Sequence, residues 1–514
     1  MPSYSSEQFY KDWRYSVKKD FTNPSGEPVK YAHDGLRIWG SEQHKLPFPQ
    51  PPAGGSVNSD GNLIAIAVES DIYIYDTVNF AEVLVCKGHV SKVDTCAFQP
   101  GNPKVLVSSS YDFRASPPAD PTIIIWDIDE QRAHPILDPS IILNIASQAT
   151  ETIVKELEQV KPQLELSAEE KKSLTSGIEP AISRIIKTHN VAKQKTLNGS
   201  LQKSFQSEIF SPSGAHLIYL PGKRPKSNGN DVWDVRIYSM STHEDILTLS
   251  GHTDAIMWTG YSPDGSMIGT VAWDKSMRIW DATNGQQKYK FDTNGQNWTG
   301  GFSPDSQMFA GTCGDGSLYI YSLSDGTTLV HHKPETRSSW MRALSWSADS
   351  KVVAVGEGHG SQPGRFILYD VEKKGVIQER ILSTEACQVP EEIRRFMGSY
   401  LECCAVQFVD GGRKVVVLTS GDGGIETYDL ETWEKWRFAR PGVDPVLKDE
   451  TNEDEQKTKE QKKEKDKDAL VHGGYSMMVW EDQKRGKVWI ASMDGDAVRI
   501  WDVPMTQENG SQLL

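Results

Sequence analysis

The groups able to do chemistry in this chain are many but scattered. Twelve histidines, 70 acidic residues and six cysteines are spread over 514 positions. At that density chance neighbours abound, so paired carboxylates cannot be read from the sequence. No G-x-S-x-G elbow, P-loop or H-E-x-x-H helix occurs, and His331-His332 is an isolated pair. Gly356-Glu357-Gly358-His359-Gly360 has the glycine density of a phosphate cradle. It joins two extended runs instead of opening a helix, so it reads as an ordinary turn. Cys86, Cys96, Cys313, Cys387, Cys403 and Cys404 show no C-x-x-C or other metal-ligand spacing. The expectation is a protein that is not an enzyme, with no catalytic set, no metal and no cofactor.

One polar constellation does stand out, within residues 251–281. Gly251-His252 opens this stretch, Ser262-Pro263-Asp264-Gly265 makes a tight turn, and Arg278-Ile279-Trp280-Asp281 closes it. Two runs of strand-forming residues lie between these signals. A histidine, a strand hydroxyl, an aspartate and an indole (His252, Thr270, Asp274 and Trp280) are groups that can satisfy one another when buried. The second such unit carries His89, Ser108, Asp112 and Trp126.

The closing strand recurs. Ile72–Asp76, Ile123–Asp127, Val235–Tyr238, Met277–Asp281, Leu318–Tyr321, Phe366–Asp370, Ile425–Asp429 and Val498–Asp502 share its pattern. Each has a strand run ahead of it. This repetition resembles the WD40 β-propeller family, in which four-stranded blades stack around an axis because one sheet alone cannot cover both its faces. The resemblance implies an all-β fold of eight blades, or seven if one weak unit is irregular. It also implies that the histidine–hydroxyl–aspartate–indole sets are structural links within blades. The match is uneven: the fifth unit has Tyr321 for tryptophan, and the fifth, seventh and eighth lack Gly-His. The last unit lacks an outer strand, which His44–Phe48 could supply, closing the ring and removing an exposed edge.

The expected organisation is an N-terminal helix and linker over 1–40, with Phe9, Trp13 and Val17 at helical spacing over 5–21. Blades 1 and 2 occupy 41–138, with the closing strand. A helical insertion follows over 139–203, then blades 3 to 7 over 204–443, a charged disordered loop over 444–472, and the last blade and tail over 473–514. Within the insertion, Ile141, Ile145, Ala149, Ile153 and Leu157 keep helical spacing. Ser167 and Glu170 form a capping-box signature, and Pro180 marks the first turn of a third helix. All three insertions (139–203, 390–400 and 444–470) are expected between an outer strand and the next inner strand, hence on one face.

What the resemblance implies about function is binding. Positions near the channel mouth carry Tyr111, Trp273, Met257, Trp258, Trp298, Trp340 and Arg342, residue types that dominate interfaces. Other proteins are the expected partners, met by the top face and its insertions as part of a complex. The alternatives are an RNA- or translation-associated accessory and, less favoured, an enzyme with a channel-mouth site. Lys223, Arg224 and Lys226 make a small basic knot, read as a solvated loop. A formal charge of −15 argues against a general nucleic-acid surface. With no apolar core of a signal peptide and no membrane-length apolar run, the expected compartment is the cytoplasm, or the nucleus.

Overall fold

A computed structural model of the protein describes residues 16–32, 42–111, 121–129, 139–161, 163, 166–192, 195–203, 206–334, 339–360, 364–383, 391–392, 402–419, 424–438 and 476–506. Among the described residues, seven antiparallel-dominated sheets make up most of the structure. Six have four or five strands. The seventh has seven, because its central strand Lys195–Ser200 belongs to two groups: Lys195 to Asn198 pair with Thr122–Asp127, while Gly199 and Ser200 pair with Pro221 and Leu220.

The sheet over 256–292 shows the local logic. Strands Ile256–Tyr261, Met267–Ala272, Ser276–Asp281 and Gln287–Asp292 form a meander. Its first turn is set by Ser262 donating to Asp264 at 2.6 Å and by Gly265 at φ +73°, where a side chain would be strained. The backbone N–H of Asp264 then takes Ser306 Oγ of the next sheet at 3.1 Å, and Asp305 N–H takes Ser350 Oγ at 3.2 Å. Successive sheets are thus tied at the end where first and second strands turn.

Cores lie between sheets, not within one. Trp258 and Val271 pack with Phe302 and Phe309 of the following sheet. Ile64 and Ile66 near the chain start pack with Met478, Ala491 and Val498 near its end, which closes the ring. The N-terminal segment is woven into that ring. His44–Pro47 pairs antiparallel with Ala497–Pro504. Ser16–Lys19 adds a fifth strand beside Gly375–Ser383, and Lys30–Tyr31 runs parallel to Glu434–Arg437.

Three expectations change. Where helical spacing predicted a helix over 5–21, residues 16–19 are strand, because a short lone helix is marginal in water while the free edge of a formed sheet is a ready template for pairing; residues 1–15 lie outside the described set. Among its described residues the insertion has two helices, α1 (Pro139–Val160) and α2 (Ala168–Ala192). Pro180 lies inside α2 and starts no third helix. The N-terminus of α2 is instead set upstream: Ser167 N–H donates to Glu170 Oε2 at 2.8 Å and Glu170 N–H to Ser167 Oγ at 3.3 Å.

The third change concerns placement. The helices leave after Asp127 and return at Lys195, which begins the outer strand of the same sheet. They therefore sit between third and fourth strands, at the end of the ring opposite the mouth. The other two insertions do fall between an outer and an inner strand. Most of 390–400 and all of 444–470 lie outside the described residues.

Candidate functional site

At the end where inner strands begin, three indoles form a row. Trp273 follows Ala272 in a turn, and its N–H donates to Ala255 O at 2.9 Å. Trp298 and Trp340 stand near the starts of Asn297–Phe302 and Ser339–Trp346, the inner strands of the next two sheets. Trp273 meets Trp298 edge-on at 5.2 Å, and Trp298 stacks on Trp340 at 4.7 Å and 28°. The Arg342 guanidinium lies 4.8 Å from the Trp298 ring and 4.7 Å from the Trp340 ring. Its Nη1 donates to Glu402 at 2.9 Å. Trp298 is buried, whereas Trp273, Trp340 and Arg342 are half-exposed. An apolar row with one fixed, planar cation is a surface that can grip a peptide or loop.

The other sequence candidates lie elsewhere. Trp258 is buried between two sheets, against Phe309 at 5.7 Å, and its Nε1 donates to Gln206 O at 3.3 Å. Met257 packs against the core cluster that includes Trp233, Ile256 and Ala272, and its carbonyl accepts from Gln202 at 2.7 Å. Tyr111 pairs with Arg224, whose guanidinium is 5.5 Å from the ring. Arg224 is not a solvated loop residue: it donates to Ser200 Oγ at 3.0 Å.

The polar sets are linked within their sheets. His252 Nδ1 faces Asp274 at 2.8 Å, and its Nε2 faces Thr270 Oγ1 at 2.7 Å. Trp280 Nε1 donates to the same hydroxyl at 2.9 Å. Burial favours neutral His252, outweighing the pull of Asp274 toward the imidazolium. Burial raises the Asp274 carboxyl, but the His252, Ser276 and Thr253 hydrogen bonds win and lower it to about 2. Ser108 likewise joins His89 at 2.6 Å and Trp126 at 2.7 Å; Asp112 lies outside the described residues.

Below the mouth is a cavity of about 1400 Å³ on the ring axis, with Lys203, Gln206, Arg224, Arg342 and Glu402 on its wall. The side chains of Lys203 and Gln206 reach across it. Lys203 Nζ donates to Gly55 O at 3.0 Å and Cys96 O at 2.6 Å. Gln206 donates to Val406 O at 2.6 Å and accepts from Leu344 N–H at 3.1 Å. One stretch so ties five sheets together across the axis, Gln202 holding the fifth through Met257. Sequence reasoning missed this strap, and also Glu402. Its only sequence signal is a Lys and two Gln where an inner strand should be apolar.

Among the described residues no helix is long and apolar enough to cross a membrane, and no group of three or more His, Cys, Asp or Glu could hold a metal.

The family model for the WD domain, G-beta repeat (WD40), matches residues 243–281. The chain is a WD40-repeat β-propeller. Its relatives include the small ribosomal subunit protein RACK1y of Oryza sativa subsp. japonica, 27% identical over 25% of this chain and 40% of that protein. Eukaryotic translation initiation factor 3 subunit I of Candida albicans is 24% identical over 41% of this chain and 59% of its own. Human coronin-7 is 25% identical over 26% of this chain and 14% of its own. The matched stretches span less than two thirds of each relative. Saccharomyces cerevisiae Sqt1 superposes with a TM-score of 0.54 at 9% identity, covering 91% of this chain and all of Sqt1; that likeness concerns the fold.

Proposed function

We propose that this WD40 propeller is a non-catalytic scaffold that binds other proteins at the mouth of its axial cavity. The carrying observation is the Trp273–Trp298–Trp340 row with Arg342 wedged against two of its rings. An eight-bladed reading accompanies this, taking the seven-stranded sheet as two blades. Trp273 and Trp340 offer large area with little entropy to lose, and truncating such an anchor costs about 2 kcal/mol or more of binding. The cytoplasm or nucleus is the compartment this reading fits.

The test is comparative capture with the intact chain, Trp273→Ala, Trp340→Ala and a chain lacking 139–192. Partners should be lost from both indole variants while melting stays within a few degrees of the parent. Folded indole variants that recover the full partner set would sink the proposal.

A second reading, membership of a translation or ribosome-assembly complex, draws on the names of relatives: RACK1y, initiation factor 3 subunit I, and a ribosome biogenesis protein WDR12 homolog of Drosophila willistoni. The charge of −15 favours protein over RNA as the direct contact. Co-sedimentation with ribosomal particles that survives nuclease would support a protein contact. Loss on nuclease treatment would favour RNA.

A further inference from the structure

Helix α1 has two faces of opposite fate. Ala146, Thr150 and Val154 are buried against α2, where Thr175 Oγ1 donates to Thr150 at 2.9 Å. In the stripe Ile141, Ile145, Ala149, Ile153 and Leu157 the large side chains are turned to solvent, and Ala149 at the centre is half-exposed: Ile145 is 37% exposed, Ile153 40%, Ile141 43% and Leu157 42%. A contiguous apolar stripe of about 24 Å left this exposed marks a surface for interaction.

The order of residues along that stripe says what covers it. Read outward from Ala149, the sequence is the same in both directions in size and character: isoleucine four residues away on each side, then isoleucine or leucine at eight. Such a ridge complements itself. Two i±4 ridges interdigitate at a crossing angle of about −50°, and a two-fold axis beside Ala149 would set Ile145 against Ile153 of a second copy. The small side chain at the centre lets the backbones approach. Charge agrees. Glu151, Lys155, Glu156 and Glu158 all lie in the C-terminal half of α1, while residues 139–150 carry none. Antiparallel pairing places every charged residue opposite an uncharged one, whereas parallel pairing would oppose like charges.

We propose that the protein self-associates as a two-fold dimer through α1, at the end of the ring away from the cavity mouth, leaving both mouths open. The inference is independent of the mouth's function. One helix crossing is a small interface at the weak end of specific contacts, so the dimer should dissociate between about 1 µM and 1 mM.

The test is sedimentation of the full chain across that range, with two doubly substituted variants. Ile145→Glu with Ile153→Glu opposes carboxylates across the axis and should sediment as a monomer throughout. Ile145→Glu with Ile153→Lys sets opposite charges together and should retain the dimer. Ala149→Cys should cross-link to itself on mild oxidation, and Glu158→Cys should not. Ile145, Ile153 and Glu158 are exposed and Ala149 is half-exposed, so unchanged circular dichroism and melting should accompany each variant. A parent chain that stays monomeric, equal behaviour of the two double variants, or a stripe protected from exchange in the monomer by another segment of the same chain would each overturn the proposal.

Discussion

Replacing Thr270 with valine tests whether the buried polar link of residues 251–281 holds its sheet together. Thr270 is fully buried, and its hydroxyl is the hub of two bonds, to His252 Nε2 at 2.7 Å and from Trp280 Nε1 at 2.9 Å. With Asp274 facing Nδ1, the ring proton belongs on Nδ1, so Nε2 accepts from the threonine hydroxyl while the indole donates to it. Valine fills the same space but leaves one buried donor and one buried acceptor unpaired, each costing roughly 1–3 kcal/mol. Allowing for partial relaxation, Thr270→Val should lose about 3 kcal/mol. Thr270→Ser keeps the hub and removes only a buried methyl, for a loss of about 1 kcal/mol. Ser108 fills the same role between His89 and Trp126, so serine suits the geometry. Urea unfolding followed by tryptophan fluorescence gives the order of the variants. Amide exchange over 251–281 localises the loss, since a ring of sheets can open in parts. If valine proves as stable as serine, or more so, the hydroxyl is not the hub and the reasoning fails.

Other tests probe the ring from different sides. Phe21 lies outside the repeated strand groups, yet it is fully buried, 4.6 Å from the Tyr428 ring and 5.2 Å from Phe366. Phe21→Ala should therefore cost about 3–5 kcal/mol, and an unshifted urea midpoint would show that the N-terminal segment is dispensable. At Gly356 a Cβ would stand 2.4 Å from Cys403 O in the next sheet, so Gly356→Ala should force two sheets apart and lower the melting temperature by several degrees. Stability should also fall on acidification in two stages. His252 is held neutral by burial, and burial lowers His89 to about 3, so only the unfolded chain takes up these protons as pH drops below about 6.5. Each such group then removes about 1.4 kcal/mol per pH unit until its folded value is reached. For Glu426, burial raises the carboxyl but Arg380, Arg437 and Lys435 prevail and lower it to about 2; Asp274 also lies near 2. Their stabilisation is present above about pH 4.5 and is lost below it. A urea midpoint constant between pH 7 and 5.5 would refute the neutral histidines.

Wherever structure depends on neighbours a few residues apart, the sequence alone determined it. The triplet ending in Arg278-Ile279-Trp280-Asp281 and its relatives along the chain mark strands by their two-residue period, and their repetition implies blades because one such sheet cannot cover both its faces. The Ser167–Glu170 cap is legible for the same reason: both partners of its bonds lie within one helical turn. Tertiary structure decided what pairs across long gaps. Lys195 returns to the strand from which the helices left at Asp127, so the insertion falls at the far end of the ring, and no local pattern carries that choice. Apolar spacing in α1 found the helix but not which stripe faces α2; Ala146, Thr150 and Val154 won because they are small enough for close packing. Gln206 reaching Val406 across the axis, and Arg342 reaching Glu402 beside two indoles, join residues 200 and 60 positions apart. Bonds of that kind form only once ring closure has already met the entropy cost of bringing the segments together.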